Sequence, residues 1–125
     1  MYELNIELEF AAAHNLLNYN GECERLHGHN WKVEIYVLAK HLDSSGLAVD
    51  FKVLKEKSKL IINELDHEYL NELRFFKDKS PSSETIARYL FLKLSEELND
   101  ENIKVSKIRV WESDRAAAAY FEEDI

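Results

Sequence analysis

The sequence predicts an α+β fold in which two helices cover one face of a four-stranded, mainly antiparallel sheet. Two stretches near the N-terminus alternate apolar and polar residues, which is the period of half-buried strands. Two later stretches place apolar residues at helical spacing, and two more alternating stretches follow them. The order is therefore strand, strand, helix, helix, strand, strand. A chain of 125 residues suits one domain, which we predict to span residues 1–125.

The first predicted strand alternates without interruption over residues 2–10. Its apolar positions are Tyr2, Leu4, Ile6, Leu8 and Phe10. The same parity continues through Ala12 and places His14 on the covered, apolar face. The polar stretch 15–26, with its asparagines and glycine, then predicts a loop.

The second predicted strand runs from about Gly28 to Lys40. The apolar residues on one of its faces are Trp31, Val33, Ile35 and Val37. His27 and His29 share the parity of that face. If the two strands pair as an antiparallel hairpin, His14 meets these two histidines at the end of the covered face next to the loop.

Start signals mark both predicted helices. A turn over residues 43–46 ends the second strand, and Asp50 then fits an N-cap. The helical spacing of the first helix is that of Phe51, Leu54, Ser58, Ile61 and Leu65. Ser80 fits the N-cap of the second helix, with Pro81 at the first helical position, where a missing N–H does no harm. The buried stripe of this helix is Ile86, Leu90, Phe91, Leu94 and Leu98.

Two shorter strands complete the predicted sheet. Residues that share a face are Ile108, Val110 and Glu112 in the first of them, and Ala117, Ala119 and Phe121 in the second. A sheet this small has two open edges, which natural proteins often satisfy by pairing between subunits. We therefore expect an oligomer.

Composition and charge exclude several classes of function. The formal net charge of −8 argues against nonspecific binding to nucleic acid or to anionic membranes. The sequence has no apolar run near the ~20 residues of a membrane-spanning helix, and its N-terminus lacks the pattern of a secretory signal. The single cysteine, Cys23, cannot form an intrachain disulfide, which suits a reducing compartment. We expect a cytoplasmic protein.

Three histidines are the candidate metal ligands. Three neutral imidazoles around a divalent ion leave a fourth position open, as a catalytic zinc site requires. The predicted convergence of His14, His27 and His29 therefore favours a metal site. The alternative is a hydrogen-bonded core histidine with two histidines in a loop. Cys23 has three open roles: a fourth ligand that closes the site, a thiolate acting as base or nucleophile, or a packed thiol without chemistry.

Two further groups are candidates for chemistry. Asp66 and His67 are adjacent, and they form a base with its orienting acid only if the backbone turns them together; otherwise they are a surface pair. Glu112 shares the parity of the apolar residues before it, so its carboxylate points to the covered face unless the strand has already ended. A buried carboxylate needs hydrogen-bond donors, and a flat heterocycle with adjacent N–H groups supplies two.

Taken together, these features resemble a known family, the 6-pyruvoyltetrahydropterin and 6-carboxytetrahydropterin synthases. The matching stretches are Phe10-Ala11-Ala12-Ala13-His14, Cys23-x-x-x-His27-Gly28-His29-Asn30, Gly46 through Val49-Asp50-Phe51, Leu65-Asp66-His67 with Leu70-Asn71, Pro81-Ser82-Ser83-Glu84, and Trp111-Glu112. They occur in the order typical of the family and span residues 10–112. The three residues between Cys23 and His27 are similar to the spacing in members that form the 6-carboxy product in queuosine (7-deazaguanine) biosynthesis.

The resemblance implies a tunnelling fold, in which sheets join into a trimeric barrel and two trimers stack as a homohexamer with active sites between subunits. It implies conversion of 7,8-dihydroneopterin triphosphate to 6-carboxy-5,6,7,8-tetrahydropterin, with release of acetaldehyde and triphosphate. It also assigns roles to particular residues. The implied roles are zinc binding for His14, His27 and His29, proton transfer for Cys23 and for His67 with Asp66, and substrate binding for Glu112 and Ser82.

Two departures from the family pattern concern the substrate. Asn15 stands where the family often has an arginine, and Ser82 replaces a threonine. The cations near motif residues that could contact the triphosphate are Arg25, Lys32 and Arg115. Two alternative functions stay open: a pyruvoyl-forming or other side-chain lyase acting on a pterin, and a noncatalytic, zinc-stabilised oligomer that binds a pterin or purine.

Overall fold

The computed structural model describes residues 1–123 and shows the expected α+β architecture, with five strands in the sheet instead of four. The strands are β1 (Tyr2–His14), β2 (His27–Ala39), β3 (Glu68–Tyr69), β4 (Ile103–Ser113) and β5 (Ala116–Tyr120). The helices are α1 (Phe51–Ile62) and α2 (Ser83–Leu98), and two short 3-10 turns lie between them, Leu70–Glu72 and Arg74–Phe76. The order across the sheet is β3-β1-β2-β4-β5. Residues 124 and 125 of the predicted domain lie outside the described residues.

The long hairpin of β1 and β2 sets the register of the sheet. The strands pair antiparallel over their whole length, from Tyr2 opposite Ala39 to His14 opposite His27. The predicted alternation is confirmed, because Ile6 and Phe10 of β1 and the odd-numbered residues of β2 from Trp31 to Ala39 are buried. Every second side chain of a strand lies on the same face, so His14, His27 and His29 lie on the core face at the end of the hairpin.

Both helices begin with a side-chain cap. Asp50 accepts a hydrogen bond from the amide of Lys52 at 2.9 Å, as predicted. The predicted cap of α2 is wrong by two residues: Ser82, and not Ser80, accepts from the amide of Thr85 at 3.2 Å. Ser80 is instead engaged by the loop after β1, since the amide of Leu17 donates to its hydroxyl at 2.7 Å.

The fifth strand, β3, arises from a connection that sequence patterning reads as irregular. The carboxylate of Asp66 accepts from the amide of Ala11 at 2.9 Å, and the amide of His67 donates to the carbonyl of Ala11 at 2.6 Å. These bonds bring Glu68 and Tyr69 beside β1 in parallel orientation. Two residues are too few for a visible alternation, so only tertiary contacts define this strand.

In the last strand, β5, the side chains of Ala118 and Tyr120 face the core, and those of Ala117 and Ala119 lie on the other face. Ala118 lies opposite Val110, and the ring of Tyr120 packs against Phe91 of α2 at 5.0 Å between ring centroids. Phe121 lies beyond the end of the strand and is 55% exposed. Among residues 1–123, we find no helix whose length and apolarity would let it cross a membrane.

Candidate metal centre and active site

Strand register brings the three candidate ligands together. His14 lies directly opposite His27, and His29 lies opposite Ala12, two residues before His14 on the same face. The rings of the three histidines contact one another edge to face, with centroids 4.7 to 5.2 Å apart. The fully buried indole of Trp31 packs against His14 and His29 from below.

Backbone carbonyls fix the tautomer of two of these histidines. Nδ1 of His14 lies 2.8 Å from the carbonyl oxygen of Pro81, and Nδ1 of His27 lies 2.8 Å from that of Arg25. A carbonyl only accepts, so each Nδ1 carries the proton and each Nε2 presents its lone pair. Metal-binding histidines are typically held in this way by a second hydrogen bond. Sequence analysis did not identify these carbonyls, although that of Pro81 belongs to the Pro81-Ser82 motif.

The ring nitrogens that carry no proton lie close together. Nε2 of His14 and Nε2 of His27 are 3.1 Å apart, and one ligand atom from each of His14, His27, His29 and Glu112 lies within 4.8 Å of all the others. Tetrahedral zinc with bonds of about 2.0–2.1 Å places its nitrogen ligands roughly 3.3 Å apart. The cluster therefore fits a divalent ion with small adjustments of the side chains.

His29 supplies a second indication of a metal. Its Nε2 is buried and has no hydrogen bond of normal geometry, although Oε1 of Glu112 is 3.0 Å away. Buried polar atoms are rarely left without a partner, and an ion would satisfy this one. The pKa of His29 is lowered mainly by burial; Glu112 opposes this effect, and His14 and His27 reinforce it. A lowered pKa keeps the imidazole neutral, the form that binds metals.

Glu112 lies at the edge of the cluster. Its carboxylate is 3.0 Å from Nε2 of His29 and 3.6 Å from Nε2 of His14, and its side chain is 39% exposed. Its predicted orientation toward the face of Ile108 and Val110 agrees with these contacts. The pairing of β4 with β5 shifts register between Trp111 and Ser113, which leaves Glu112 at a bulge. Bulges commonly redirect a side chain next to an active site.

Cys23 lies outside the cluster. It is exposed, in the segment that connects β1 to β2, and it does not belong to the group of described residues whose ligand atoms converge. The connection is held at its base, since Leu16 donates to the carboxylate of Glu24 at 3.1 Å and Glu24 donates to the carbonyl of Leu16 at 2.9 Å. The thiol is thus accessible and lies outside the group of converging ligand atoms.

Asp66 and His67 are turned together by the backbone. Oδ2 of Asp66 lies 3.0 Å from Nδ1 of His67, and a positive φ of 60° at His67 brings the two side chains to the same side. The hydrogen bond from the amide of Ala11 is the main cause that holds the pKa of Asp66 below its ordinary value. Burial opposes this effect, and His67 reinforces it. The imidazole of His67 is 82% exposed, so it is accessible to a substrate or to another subunit.

The remaining candidates are distributed around the site. Ser82 uses its hydroxyl to cap α2. Asn15 exchanges hydrogen bonds with the side-chain amide of Asn71 at 3.0 and 2.8 Å and accepts from Tyr69 at 2.6 Å. Lys32 faces away from the histidines, with its ammonium 4.7 Å from the centroid of the Trp111 indole. It is therefore a poor candidate for a triphosphate contact at this cluster.

Comparisons with known proteins relate the sequence and fold of the chain to one family. The family profile described as 6-pyruvoyl tetrahydropterin synthase matches residues 3–123. A 6-carboxy-5,6,7,8-tetrahydropterin synthase from Synechocystis sp. is 38% identical, with 97% of this chain and 94% of the relative covered. One from Haemophilus influenzae is 28% identical, with 98% and 100% covered. The solved structure of Caenorhabditis elegans 6-pyruvoyl tetrahydropterin synthase has a TM-score of 0.78 at 25% identity and covers 98% of each chain.

Proposed function

The chain belongs to the 6-pyruvoyl tetrahydropterin synthase family, and from this premise we propose that it is the lyase that converts 7,8-dihydroneopterin triphosphate to 6-carboxy-5,6,7,8-tetrahydropterin. One water is consumed, acetaldehyde and triphosphate are the other products, and the step belongs to queuosine biosynthesis in the cytoplasm. The observation that supports this most directly is the convergence of one ring nitrogen from each of three histidines beside a partly exposed carboxylate. Relatives named 6-carboxy-5,6,7,8-tetrahydropterin synthase favour the 6-carboxy product over the 6-pyruvoyl one.

We assign the metal site to His14, His27 and His29. Zn²⁺ held there would act as a Lewis acid that polarises and acidifies the side-chain hydroxyls of the substrate. The carbonyl bonds to Nδ1 of His14 and His27 hold both rings with Nε2 directed at the ion. The partial exposure of His27 and Glu112 leaves room for a substrate at an open fourth position.

Cys23 and His67 move the protons in this proposal. The exposed thiol of Cys23 serves as the base at the substrate side chain, and a nearby cation would lower its pKa toward neutrality. His67 serves on the other face of the substrate, with its ring oriented by Asp66 through the contact of 3.0 Å. Two groups on opposite faces allow a proton to be removed at one carbon and delivered at another.

Glu112 recognises the pterin in this proposal. Its carboxylate accepts hydrogen bonds from the ring N–H and from the 2-amino group of the pterin. These bonds orient the heterocycle before the reaction begins. The present contact with His29 and His14 gives an alternative, because a carboxylate there could also close the site as a fourth ligand. A closed site would favour the noncatalytic, zinc-stabilised binding protein. Ser82 stays a predicted substrate contact whose hydroxyl caps α2 in the free chain.

We further propose a homohexamer, a dimer of trimers in which each site takes His67 from a neighbouring subunit. β3 covers β1 only at Ala12 and Ala13, so the rest of that edge is unpaired within residues 1–123, as is the outer edge of β5. Exposed aromatic side chains accompany both edges, Tyr2 on β1 and Phe121 after β5. Edge-to-edge pairing between copies would bury both features.

Product identification tests the proposal. Purified protein is incubated with 7,8-dihydroneopterin triphosphate, and the products are identified by mass spectrometry with a separate assay for acetaldehyde. The 6-carboxy product together with acetaldehyde is the expected result. Triphosphate release with a 6-pyruvoyl product and no acetaldehyde would assign the alternative lyase. Tight binding of the pterin without turnover, abolished by Glu112→Gln, would instead support the noncatalytic protein.

A further inference from the structure

A buried carboxylate lies on the side of the sheet that faces away from the helices. Glu34 points to this side because its neighbours Val33 and Ile35 point into the core. Within the described chain its exposed fraction is only 8%, although no helix covers this side. A carboxylate is rarely buried to this degree unless its oxygens are satisfied by donors.

Both oxygens of Glu34 are satisfied by aromatic side chains. The indole N–H of Trp111 donates a hydrogen bond to Oε1, and the hydroxyl of Tyr36 donates to Oε2 at 2.6 Å. Arg109 in turn donates to the Tyr36 hydroxyl at 3.3 Å. The ammonium of Lys32 lies over the Trp111 ring, 4.7 Å from its centroid. Trp111 is thus held both at its N–H and on its ring face.

Trp111 immediately precedes Glu112 in the chain. Trp111 pairs with Lys32 on one side and with Ala117 on the other, whereas the register toward β5 shifts before Ser113. Regular pairing therefore stops at Glu112, and the sheet alone does not fix the direction of this side chain. That direction depends on how firmly the preceding residue is held.

We infer that Glu34 is a positioning residue: by holding the Trp111 indole, it fixes the bulged segment so that the Glu112 carboxylate points toward the histidine cluster and the bound heterocycle. The inference rests on the proposed pterin-binding role of Glu112. It assigns a function to a residue on the face of the sheet opposite the histidine cluster. Residues that orient a ligand-binding group commonly influence affinity as strongly as direct contacts do.

The charge of Glu34 supports this role. Burial alone would raise the pKa of Glu34, but the hydrogen bonds from Tyr36 and Trp111, aided by the charges of Arg109 and Lys32, hold it below its ordinary value. The carboxylate is therefore ionised at neutral pH. Hydrogen bonds to an ionised acceptor are about twice as strong as neutral ones, which makes the Trp111 contact a firm restraint.

The test compares two substitutions that each remove one donor to the same carboxylate. Trp111→Phe removes the indole N–H but keeps an aromatic ring under Lys32. Tyr36→Phe removes the other donor and leaves the contact between Glu34 and Trp111 in place, so it is the matched control. We expect Trp111→Phe to raise KM for dihydroneopterin triphosphate by about 10-fold, with kcat and zinc content nearly unchanged, and Tyr36→Phe to leave KM within about 2-fold.

A conservative change tests the acceptor itself. Glu34→Gln keeps an oxygen that can accept from Trp111, whereas Glu34→Ala does not, so we expect Gln to retain most of the substrate affinity that Ala loses. Equal KM changes in Trp111→Phe and Tyr36→Phe that follow their thermal stabilities would overturn the inference and indicate a structural role only. Absence of turnover in the unmodified protein would count against the proposed function instead.

A crystal structure of the Trp111→Phe protein provides a readout that is independent of activity. The expected result is that the Glu112 carboxylate no longer occupies its position 3.0 Å from Nε2 of His29. If Glu112 keeps that position without the indole N–H, Glu34 does not position it, whatever the enzyme's substrate proves to be.

Discussion

The histidine cluster and the pair of proton-transfer candidates, Cys23 and His67, are built in opposite ways. The histidines lie at the ends of two long paired strands, and their positions follow from strand register and from hydrogen bonds to backbone carbonyls. Cys23 lies in an exposed connection, and His67 is 82% exposed at the sheet edge with a positive φ. The chain itself brings the histidines together, whereas Cys23 and His67 stay exposed.

This difference follows from what each group of residues requires. A metal site needs ligand atoms fixed within a few tenths of an ångström, and regular strands provide such rigidity. In the proposed reaction, proton-transfer groups act on two faces of the substrate, and we propose that a neighbouring subunit supplies one of them. The cluster forms within one chain, whereas we propose that the exposed acid–base groups are completed by a second subunit.

The largest effect should come from removing the histidine cluster. We expect the double substitution His27→Ala with His29→Ala to reduce bound zinc to less than about a tenth of stoichiometric content, because one imidazole cannot hold the ion. Elemental analysis of the purified protein measures this. His41→Ala, at an exposed histidine outside the cluster, is the matched control and should keep full zinc. Full occupancy in the double variant would refute the three-histidine site.

The second largest effect should come from Cys23→Ala. We expect turnover to fall on the order of 10²-fold or more, as for a lost general base, with zinc content and mass in solution unchanged. Zinc content, sedimentation and acetaldehyde release are measured on one preparation. Loss of zinc together with activity would make Cys23 a ligand, and retained activity would make the thiol incidental.

A third experiment tests whether Cys23 and His67 complete a site across subunits. His67→Ala alone should lower turnover as strongly as Cys23→Ala does. In hexamers co-assembled from equal amounts of the two variants, about a quarter of the shared sites combine an intact Cys23 with an intact His67 from the neighbour. Activity should then recover to about that fraction of the unmodified enzyme. No recovery in verified mixed hexamers would mean that both residues serve a site within one subunit.

The smallest effect concerns the loop that supports the cluster. Ser82→Ala removes the N-cap of α2 and should lower the free energy of unfolding by about 1 kcal/mol, measured by denaturant titration. Ser83→Ala, one position into the helix, is the control and should change it by less than ~0.5 kcal/mol. If Ser82→Ala also raises KM, and the loss of stability does not explain the increase, the predicted substrate contact would be favoured. Equal stability losses in the two variants would contradict the cap.

Much of the cluster could be predicted from the sequence because strands have a strict period of two. Once the alternation of Ile6 and Phe10 is extended, His14 must face the core, and the shared parity of His27 and His29 follows from Trp31. The α+β fold class and the family were accessible for the same reason, since periodic burial and ordered motifs are local properties of the chain.

The departures arose where local signals compete. Ser80 and Ser82 are both good caps next to Pro81, and the choice fell to Ser82 because the loop after β1 binds the hydroxyl of Ser80. β3 was missed because two bonds to Ala11, 55 and 56 residues away in sequence, create it. Local secondary-structure propensity predicts neither the contact of Ser80 nor the bonds to Ala11, because both depend on distant parts of the chain.

The sequence by itself determined which residues are available for chemistry and which face of each long strand they occupy, because side-chain alternation is a property of the backbone. Only the tertiary structure decided how those residues are held. The carbonyls of Pro81 and Arg25 fix the histidine tautomers, the bulge releases Glu112 from regular pairing, and the Glu34–Trp111 contact lies on the opposite face. Hydrogen bonds between distant segments set these features, and their partners meet only when the sheet has formed.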